Sequence, residues 1–375
     1  MSDAVQKLGM PKWGLSMTEG RLLEWLVDEG AELQAGDEVA EVETEKINGA
    51  VEAPVAGVLR RRVAAVGDVV PVGGLLGVIA DAAVPDVDVD AFIAEFEASF
   101  VPGEAEEDAG AEPETVTVGA GTLRFLRRGE AGEPLVLLHG FGGDLNNWLF
   151  NAEALCADRT VYALDLPGHG GSVKRVGDGS PDVLAGAVRE FLDGLDLERA
   201  DVAGHSMGGL VAAALALREP GRVRSLTLVD PAGLGEEIDR EYVEGFVAAT
   251  GRRDLKPVLQ RLFADPGLVT RQMVDDVLRY KRLDGVQDAL RTLADALFPD
   301  GRQRHVLAGD LPSYPGPVLV VWGGQDRVIP ARHAERAPDG AEVHVLASAG
   351  HSPHMEAAGE FNRLLAGFLA GARAG

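Results

Sequence analysis

The spacing of apolar residues divides the chain into two stretches of different character. In residues 1–81, short apolar runs are separated by Gly and Pro, which predicts β-strands at 22–27, 39–42, 58–63 and 75–79. From residue 115 onward, strand-like and helix-like patterns alternate, which predicts an α/β domain with a mostly parallel sheet. A helical block at about 233–312 interrupts this alternation between the sixth and seventh strands. We therefore expect a helical cap there.

The first stretch contains two similar halves. Gly36-Asp37-Glu38-Val39 recurs 31 residues later as Gly67-Asp68-Val69-Val70. Two such halves predict a small, flattened all-β barrel. Lys46 lies between the halves, beside the Asn48-Gly49 pair that indicates a hairpin turn. This lysine is either the attachment point of a prosthetic group or an ordinary solvated side chain.

The segment 82–114 connects the two stretches and is strongly acidic. It contains eleven Asp and Glu residues and no Lys or Arg, so it is expected to be an extended linker. Within it, Phe92, Phe96 and Phe100 recur every four residues, which predicts a short helix with an aromatic face. That face either packs on one of the domains or docks a partner protein. The predicted domains are therefore 1–81 and 115–375, joined by the linker 82–114.

The candidate nucleophile is Ser206, within Gly204-His205-Ser206-Met207-Gly208-Gly209. This motif follows a short apolar run and precedes a run rich in Ala and Leu, which predicts strand, turn and helix. A serine on such a sharp turn requires small residues two positions before and after it, and Gly204 and Gly208 supply them. A plain glycine-rich turn is the alternative interpretation. We interpret the motif as a nucleophile elbow.

A serine hydroxyl becomes a good nucleophile only when a base removes its proton and an acid orients that base. Asp326 and His351 each follow a predicted strand, and the order Ser, acid, His along the chain is the one this elbow requires. We therefore predict Asp326 as the acid and His351 as the base. Asp230, which follows the preceding strand, is the alternative acid.

Two backbone N–H groups are needed to stabilise an oxyanion at the predicted site. We predict those of Met207, directly after the nucleophile, and of Phe141, in the loop after the third strand. His139 and His205 are interpreted as structural residues. His354 is interpreted as a surface residue or as a support for the site.

Composition limits the possible partners and compartment. A formal net charge of −25 argues against binding to nucleic acid or to an anionic membrane. The one cysteine, Cys156, excludes an intramolecular disulfide and a cysteine-only metal site, and no metal is expected. The sequence shows neither a secretion signal nor a run of about 18 apolar residues, so we expect a cytoplasmic protein.

The first 80 residues resemble the lipoyl domain of 2-oxo acid dehydrogenase complexes. The resemblance rests on the segments Met10-Pro11-Lys12-Trp13-Gly14, Met17-Thr18-Glu19-Gly20 and Glu43-Thr44-Glu45-Lys46. It implies that Lys46 carries lipoate in amide linkage. Glu45 and Ile47 replace the methionines of related biotin carriers, which favours lipoate over biotin. A lipoyl arm can hold an acyl group as a thioester.

Residues 115–375 resemble the α/β-hydrolase superfamily. The motifs that carry this resemblance occur in family order, at 139–142, 165–170, 204–209, 324–326 and 350–351. A serine at the elbow favours acyl chemistry over epoxide opening or dehalogenation, which use an aspartate there. Because the superfamily covers many reactions, the fold alone does not give the substrate.

Together, the two halves resemble the acetyltransferase components of acetoin dehydrogenase complexes. The resemblance implies two partners, a thiamine-diphosphate-dependent enzyme that cleaves acetoin and dihydrolipoamide dehydrogenase. It also implies that acetyl passes from lipoyl-Lys46 to coenzyme A. The usual His-x-x-x-Asp-Gly signature of such acyltransferases is absent, so we expect Ser206, Asp326 and His351 to perform the transfer. The alternatives are a hydrolase acting on an ester, thioester or C–C bond, and a carrier whose second domain serves only for docking.

Coenzyme A carries phosphates, which require positive charge. The predicted cap contains two groups of basic residues, Arg252, Arg253 and Lys256, and Arg279, Lys281 and Arg282. We expect one group to receive the phosphates, unless both are ordinary solvated helix faces.

Overall fold

The computed structural model describes residues 5–11, 17–44, 48–100 and 112–372. The chain forms two compact units, Met1–Glu112 and Pro113–Gly375. Within the described residues, no helix is long and apolar enough to cross a membrane.

The first unit contains two four-stranded antiparallel sheets, in the orders β1-β8-β6-β3 and β5-β4-β2-β7. This arrangement confirms the predicted all-β fold. The strands are β1 (Val5–Gly9), β2 (Glu19–Trp25), β3 (Glu32–Leu33), β4 (Glu38–Glu43), β5 (Asn48–Glu52), β6 (Gly57–Arg62), β7 (Val69–Pro71) and β8 (Leu75–Ala80).

The repeated sequence motif forms two turns with the same hydrogen bond. Asp37 accepts from the N–H of Gln34 at 2.7 Å, and Asp68 accepts from the N–H of Ala65 at 2.8 Å. The glycine before each aspartate has a positive φ, 88° at Gly36 and 95° at Gly67. Only glycine adopts that conformation without strain, so the Gly-Asp pair specifies the turn in both halves.

Strands β4 and β5 pair antiparallel, with Glu43 opposite Asn48. Lys46 itself lies outside the described residues. The chain between these paired strands is Thr44-Glu45-Lys46-Ile47, in which Lys46 is the one lysine. Lipoyl attachment at Lys46 stays a prediction.

Helix α1 (Asp86–Ser99) packs on strand β8 of the first unit. Val89 is fully buried in a cluster with Val5, Leu75 and Val78. Phe92, Ile93 and Phe96 pack around this cluster with their side chains partly buried. Two residues of the predicted aromatic face, Phe92 and Phe96, therefore contact the barrel, and the third, Phe100, stacks on Phe96 with ring centroids 5.2 Å apart.

Two arginines of β6 hold the start of α1. Arg60 donates to the carbonyls of Asp81 and Val84 at 2.8 Å, and to the carboxylate of Asp86 at 2.6 Å. Arg61 forms an ion pair with Asp90 at 3.2 Å. The hydrogen bond from Arg60 lowers the pKa of Asp86. Part of the acidic segment thus neutralises basic residues of the barrel.

The second unit contains an eight-stranded sheet in the order β16-β15-β14-β13-β11-β12-β10-β9. Neighbouring strands in the series β12-β11-β13-β14-β15-β16 pair in parallel. Strand β10 pairs antiparallel with both β9 and β12. This topology confirms the predicted mostly parallel sheet. The strands are β9 (Glu114–Val118), β10 (Gly121–Arg128), β11 (Glu133–Leu138), β12 (Arg159–Leu164), β13 (Ala200–His205), β14 (Val223–Val229), β15 (Val318–Gly323) and β16 (Glu342–Leu346).

The sheet and its helices bury an apolar core that includes Trp322, Phe125 and Phe191. The helices outside the cap are α2 (Leu149–Ala152), α3 (Pro181–Gly194), α4 (Met207–Arg218), α9 (Pro353–Glu356) and α10 (Ala358–Ala372). Helix α4 packs against β13 and β14, directly behind the predicted elbow.

The cap lies between β14 and β15 in the chain, as the sequence predicts. Its helices are α5 (Arg240–Ala248), α6 (Arg252–Leu259), α7 (Arg271–Lys281) and α8 (Val286–Leu297). They are amphipathic: α5 buries Tyr242, Val243 and Phe246, and α8 buries residues at the spacing of one helical face.

Candidate active site

Ser206 occupies a strained turn between β13 and α4. Its backbone angles are φ 53° and ψ −117°, a conformation that is rare for a residue with a side chain. A Cβ on Gly204 would lie 2.2 Å from the carbonyl oxygen of Gly208, and one on Gly208 would lie 2.3 Å from that of Leu138. Only glycine fits at both positions, so the motif forms the predicted elbow for steric reasons.

Ser206, His351 and Asp326 form one hydrogen-bonded chain. The Ser206 hydroxyl donates to His351 Nε2 at 3.0 Å, and His351 Nδ1–H donates to Asp326 Oδ2 at 2.8 Å. All three side chains are buried. The structure therefore brings together the three residues predicted from the sequence, in the order that a general-base relay needs.

Asp326 is held in its ionised form. Its Oδ1 atom accepts from the N–H groups of Val328 and Ile329 at 2.7 and 2.9 Å. Burial by itself raises the pKa of Asp326, but the adjacent His351 and these hydrogen bonds outweigh it and lower the pKa. A charged carboxylate at this position stabilises the imidazolium that forms when His351 takes a proton.

Asp230, the alternative acid, occupies a different position. It is fully buried and accepts from the N–H of Gly323 at 3.0 Å. Its carboxyl lies against that of Asp326 and donates to it when protonated. Burial, and then the charge of Asp326, raise the pKa of Asp230 well above its ordinary value. Burial therefore favours the neutral form of Asp230, and the hydrogen bond from His351 favours Asp326 as the orienting acid.

The neighbouring histidines support the site. His205 Nε2–H donates to the carbonyl of His351 at 2.6 Å, which fixes the backbone of the candidate base. His354 is fully buried, and its ring lies 4.5 Å from those of Trp148 and His205. The surface alternative for His354 is therefore wrong, because the first turn of α9 faces the protein interior. Burial lowers its pKa to about 3.

The predicted oxyanion donors are both available. In the part of the chain that the structure describes, no hydrogen bond uses the N–H of Phe141 or of Met207. Met207 begins helix α4, where backbone N–H groups are free and the helix dipole is positive. Gly140 packs closely against the elbow, since a Cβ there would lie 3.1 Å from Ser206 Cβ.

Asp165 joins the loop after β11 to the loop after β12. Its carboxylate accepts from the N–H of Leu145 at 2.8 Å, and from Arg124 Nε and the N–H of Gly171 at 2.7 Å. The sequence identified the Asp165 motif without assigning it a role. The structure shows that its carboxylate holds the two loops together.

Glu356 is a site residue that the sequence does not reveal. Its Oε1 atom accepts from the N–H groups of Gly350 and Ser352, on either side of His351, at 2.8 and 3.3 Å. Its Oε2 atom accepts from the N–H of Ala264 in the cap at 2.7 Å. Glu356 thus connects the loop that carries His351 to the cap. No local pattern identifies it, because Ala264 lies 92 residues away in the chain.

The basic residues of the cap are less available than the sequence suggests. Arg252 forms a two-pronged ion pair with Asp275, and Arg279 pairs with Asp276 at 2.7 Å. Lys281 is buried and donates to the carbonyls of Phe246, Val247 and Ala249. The expectation that Lys281 binds phosphate is therefore wrong, because its amine is occupied inside the cap.

Comparison with known proteins gives a separate family match for each of the two units. Residues 133–358 match the family model described as alpha/beta hydrolase fold, and residues 6–79 match the one described as biotin-requiring enzyme. The chain is 52% identical over 367 residues to the dihydrolipoyllysine-residue acetyltransferase component of acetoin cleaving system from Pseudomonas putida, covering 97% of this chain and 98% of that protein. It is 52% identical over 371 residues to the component of the same name from Cupriavidus necator, covering 99% of each.

The chain belongs to this family of acetyltransferase components. It is accordingly an acetyltransferase-type enzyme with an α/β-hydrolase fold and a lipoyl-type domain. The second unit is also similar to a solved structure, a meta-cleavage product hydrolase from Pseudomonas fluorescens IP01. That match has a TM-score of 0.64 and 25% identity, and covers 69% of this chain and 98% of the hydrolase. The acetyltransferase component thus shares its catalytic fold with enzymes named as hydrolases.

Proposed function

We propose that this acetyltransferase transfers an acetyl group from lipoyl-Lys46 to coenzyme A through an acetyl-Ser206 intermediate. The observation that carries the proposal is the buried hydrogen-bonded chain from Ser206 through His351 to Asp326. The names of the two relatives that match nearly the whole chain supply the substrate, since both are dihydrolipoyllysine-residue acetyltransferase components of acetoin cleaving systems.

The paired strands on either side of the segment that contains Lys46 support a covalent lipoyl group at that lysine. Strands β4 and β5 pair up to Glu43 and Asn48, and Lys46 is the one lysine in the chain between them. A lysine on a short connection between paired strands is a suitable attachment point for a long arm. Lipoate on this lysine supplies a thiol that carries acetyl as a thioester.

Acylation begins with His351, which removes the Ser206 proton as Ser206 Oγ bonds to the acetyl carbonyl carbon. The N–H groups of Phe141 and Met207 stabilise the resulting oxyanion. His351 then gives its proton to the departing sulfur as the C–S bond breaks. The products are acetyl-Ser206 and a free thiol.

Deacylation repeats these chemical steps in reverse with a different thiol. His351 takes the proton of the coenzyme A thiol, whose sulfur bonds to the acetyl carbon. The bond to Ser206 Oγ breaks, and the proton returns from His351 to Ser206. Acetyl moves between two sulfur atoms without oxidation or reduction. Asp326 stays ionised and holds the imidazole throughout.

The relatives' names also imply partners. Both are components of an acetoin cleaving system, so we propose that this chain works with a thiamine-diphosphate-dependent enzyme that cleaves acetoin. Dihydrolipoamide dehydrogenase would reoxidise the lipoyl thiols after each transfer. We further propose that the assembly is cytoplasmic.

A hydrolase is the second candidate function. It is favoured by the similarity of the second unit to the meta-cleavage product hydrolase, which covers 98% of that enzyme. In this case water takes the place of the coenzyme A thiol, and the substrate is an ester, a thioester or a C–C bond activated by a carbonyl.

The two candidates differ in the second step, which gives a direct test. The protein is lipoylated, its lipoyl arm is acetylated, and acetyl-CoA and acetate are measured with and without coenzyme A. We expect ping-pong kinetics, acetyl-CoA as the main product and an acetylated Ser206 peptide when coenzyme A is omitted. Acetate released at the same rate with and without coenzyme A would establish the hydrolase instead.

A further inference from the structure

We propose that Tyr242 and His169 are positioning residues that clamp the Phe141–Gly142 peptide from opposite sides. Through this clamp the cap holds the oxyanion donor at Phe141 in place. The proposal rests on the proposed acyl chemistry at Ser206, but it does not depend on whether coenzyme A or water removes the acyl group.

The two sides of the clamp come from different elements. Tyr242, on cap helix α5, donates its hydroxyl hydrogen to the carbonyl oxygen of Phe141 at 3.0 Å. His169, in the loop after β12, accepts from the N–H of Gly142 at its Nε2 atom, at 3.1 Å. The carbonyl and the N–H of a single peptide unit are therefore both held by side chains. Both side chains are buried, so water cannot replace either bond.

The preceding peptide is held as well. The carbonyl oxygen of Gly140 accepts from His139 Nδ1–H at 2.8 Å and from the N–H of Gly143 at 3.1 Å. Because a trans peptide is planar, fixing this carbonyl directs the N–H of Phe141 the opposite way. Among the described residues, the Phe141 N–H is then the one polar group of these two peptides without a partner.

The hydrogen bonds at His169 require one tautomer. Nε2 accepts from Gly142, so the proton lies on Nδ1, which faces the carbonyl oxygen of Pro167 at 3.2 Å. Burial, and then the nearby His139, lower the pKa of His169 well below its ordinary value. The ring is therefore neutral near pH 7 and keeps the lone pair that the Gly142 N–H needs.

Tyr242 is itself fixed by the packing of the cap. A Cβ on Gly142, whose φ is 76°, would lie 2.2 Å from the Phe246 ring, so helix α5 is in tight contact with the clamped peptide. The Phe141 ring packs against Phe246, with centroids 5.7 Å apart. Lys281 donates to the carbonyls at the end of α5 and so anchors that helix from α7. The clamp therefore depends on an assembled cap.

The test separates positioning from stability with two matched substitutions. Tyr242→Phe removes the hydroxyl that holds Phe141. Tyr314→Phe removes an equivalent buried hydroxyl, which donates to the carbonyl of Val223 at 3.2 Å. Val223 is the first residue of strand β14, whereas the candidate active site lies at the other end of that strand. Both are made in the full-length protein, and each variant's thermal midpoint is measured.

The readouts are acylation of Ser206 by p-nitrophenyl acetate and affinity for a trifluoromethyl ketone, which forms an oxyanion on the serine. We expect Tyr242→Phe to lower the acylation rate and the inhibitor affinity by about tenfold each, with little change in KM. We expect Tyr314→Phe to stay within about twofold of the wild type in both. Equal behaviour of the two variants in rate and affinity would overturn the proposal.

Substitutions of His169 provide an independent test. His169→Gln keeps an acceptor oxygen for the Gly142 N–H, whereas His169→Leu does not. We expect the Gln variant to recover most of the acylation rate that the Leu variant loses. A similar loss in both variants would show that His169 acts only through packing. If the Tyr242 and His169 variants behave as expected but acetate is released at a rate independent of coenzyme A, the proposed transferase function is rejected and this inference stands.

Discussion

The two units of this chain differ in how they bring functional residues together. In the first unit, the predicted carrier residue lies on a short connection between two strands that pair with each other. In the second unit, His351 and Ser206 are 145 residues apart in the chain, and the cap residue Tyr242 lies 101 residues from Phe141, which it contacts. The predicted carrier site is therefore local in sequence, whereas the predicted nucleophile, base, acid and oxyanion donors come together only in the folded sheet and cap.

The units also differ in the chemistry of their buried groups. All eight histidines of the chain lie beyond residue 138, and the first unit has none. In the second unit, His139, His169, His205 and His354 are buried, each with a lowered pKa. The catalytic unit is therefore expected to respond to acid in a way that the carrier unit does not.

Lys46→Ala should abolish lipoylation completely, because no other lysine lies between β4 and β5. Intact-mass analysis after expression with a lipoate ligase checks this, with Lys12→Ala as the matched control that keeps the adduct. Acylation of Ser206 by p-nitrophenyl acetate should be unchanged in Lys46→Ala. A lipoyl adduct that survives the substitution would contradict the assignment.

Ser206→Ala should lower the rate of acetyl transfer by about 10⁶-fold, the scale seen when a catalytic serine is removed. The double variant Ser206→Ala/His351→Ala should be little worse, because either loss disables the nucleophile. Single-turnover rates with an acetyl thioester measure both. Lipoylation of Lys46 should stay complete in these variants. Additive losses would show that Ser206 and His351 do not act as a unit.

Asp326→Asn should lower the rate by about 10⁴-fold, because an amide cannot hold His351 in the required tautomer. Asp230→Asn should stay within about tenfold of the wild type, because an amide resembles the protonated carboxyl and still accepts from Gly323. The same single-turnover assay distinguishes them. The reverse ranking would make Asp230 the acid.

The second unit should lose stability as the pH falls from about 6.5 toward 3. A histidine whose pKa is lowered in the folded state binds a proton more tightly in the unfolded chain, so acid favours unfolding. Each tenfold difference in proton affinity is equivalent to about 1.4 kcal/mol. His354, with a pKa of about 3, contributes the clearest share, and Asp144, whose burial raises its pKa to about 6, opposes it. Denaturant unfolding of wild type and His354→Phe at about pH 7 and pH 5 measures the effect.

His354→Phe should flatten this pH dependence, since the ring packing is kept and the titration is removed. Peptides of the first unit, followed by hydrogen exchange in the same samples, should show no matching loss of protection. An unchanged slope in His354→Phe would show that its burial does not control acid stability.

Val89→Ala should weaken the docking of α1 by about 2 kcal/mol, because it removes a fully buried side chain from the barrel cluster. Val87→Ala, two residues away on the same helix and 70% exposed, is the control and should change stability by less than about 0.5 kcal/mol. Hydrogen exchange of the β8 amides in the full-length protein reports both. Equal effects would mean that α1 is not held by this contact.

Several features could be predicted because each has a local physical cause. The Gly-x-Ser-x-Gly elbow is specified by contacts of 2.2 and 2.3 Å that exclude any side chain at Gly204 and Gly208. The Gly-Asp turns of the barrel are specified by positive φ values at Gly36 and Gly67. Strand-end positions identified Asp326 and His351, because parallel strands place their carboxyl ends at one edge of the sheet.

Other features were decided only by the tertiary structure. Lys281 belongs to a basic run in the sequence, but helix packing turns its amine toward the carbonyls at the end of α5. Asp230 and Asp326 have the same residue type, the same strand-end position and buried carboxyl groups, and their different partners give them opposite pKa shifts. Tyr242 and His169 hold groups 101 and 27 positions away in the chain, and Glu356 reaches Ala264, 92 positions away. Such contacts have no local pattern, because they depend on which loops the completed sheet and cap bring together.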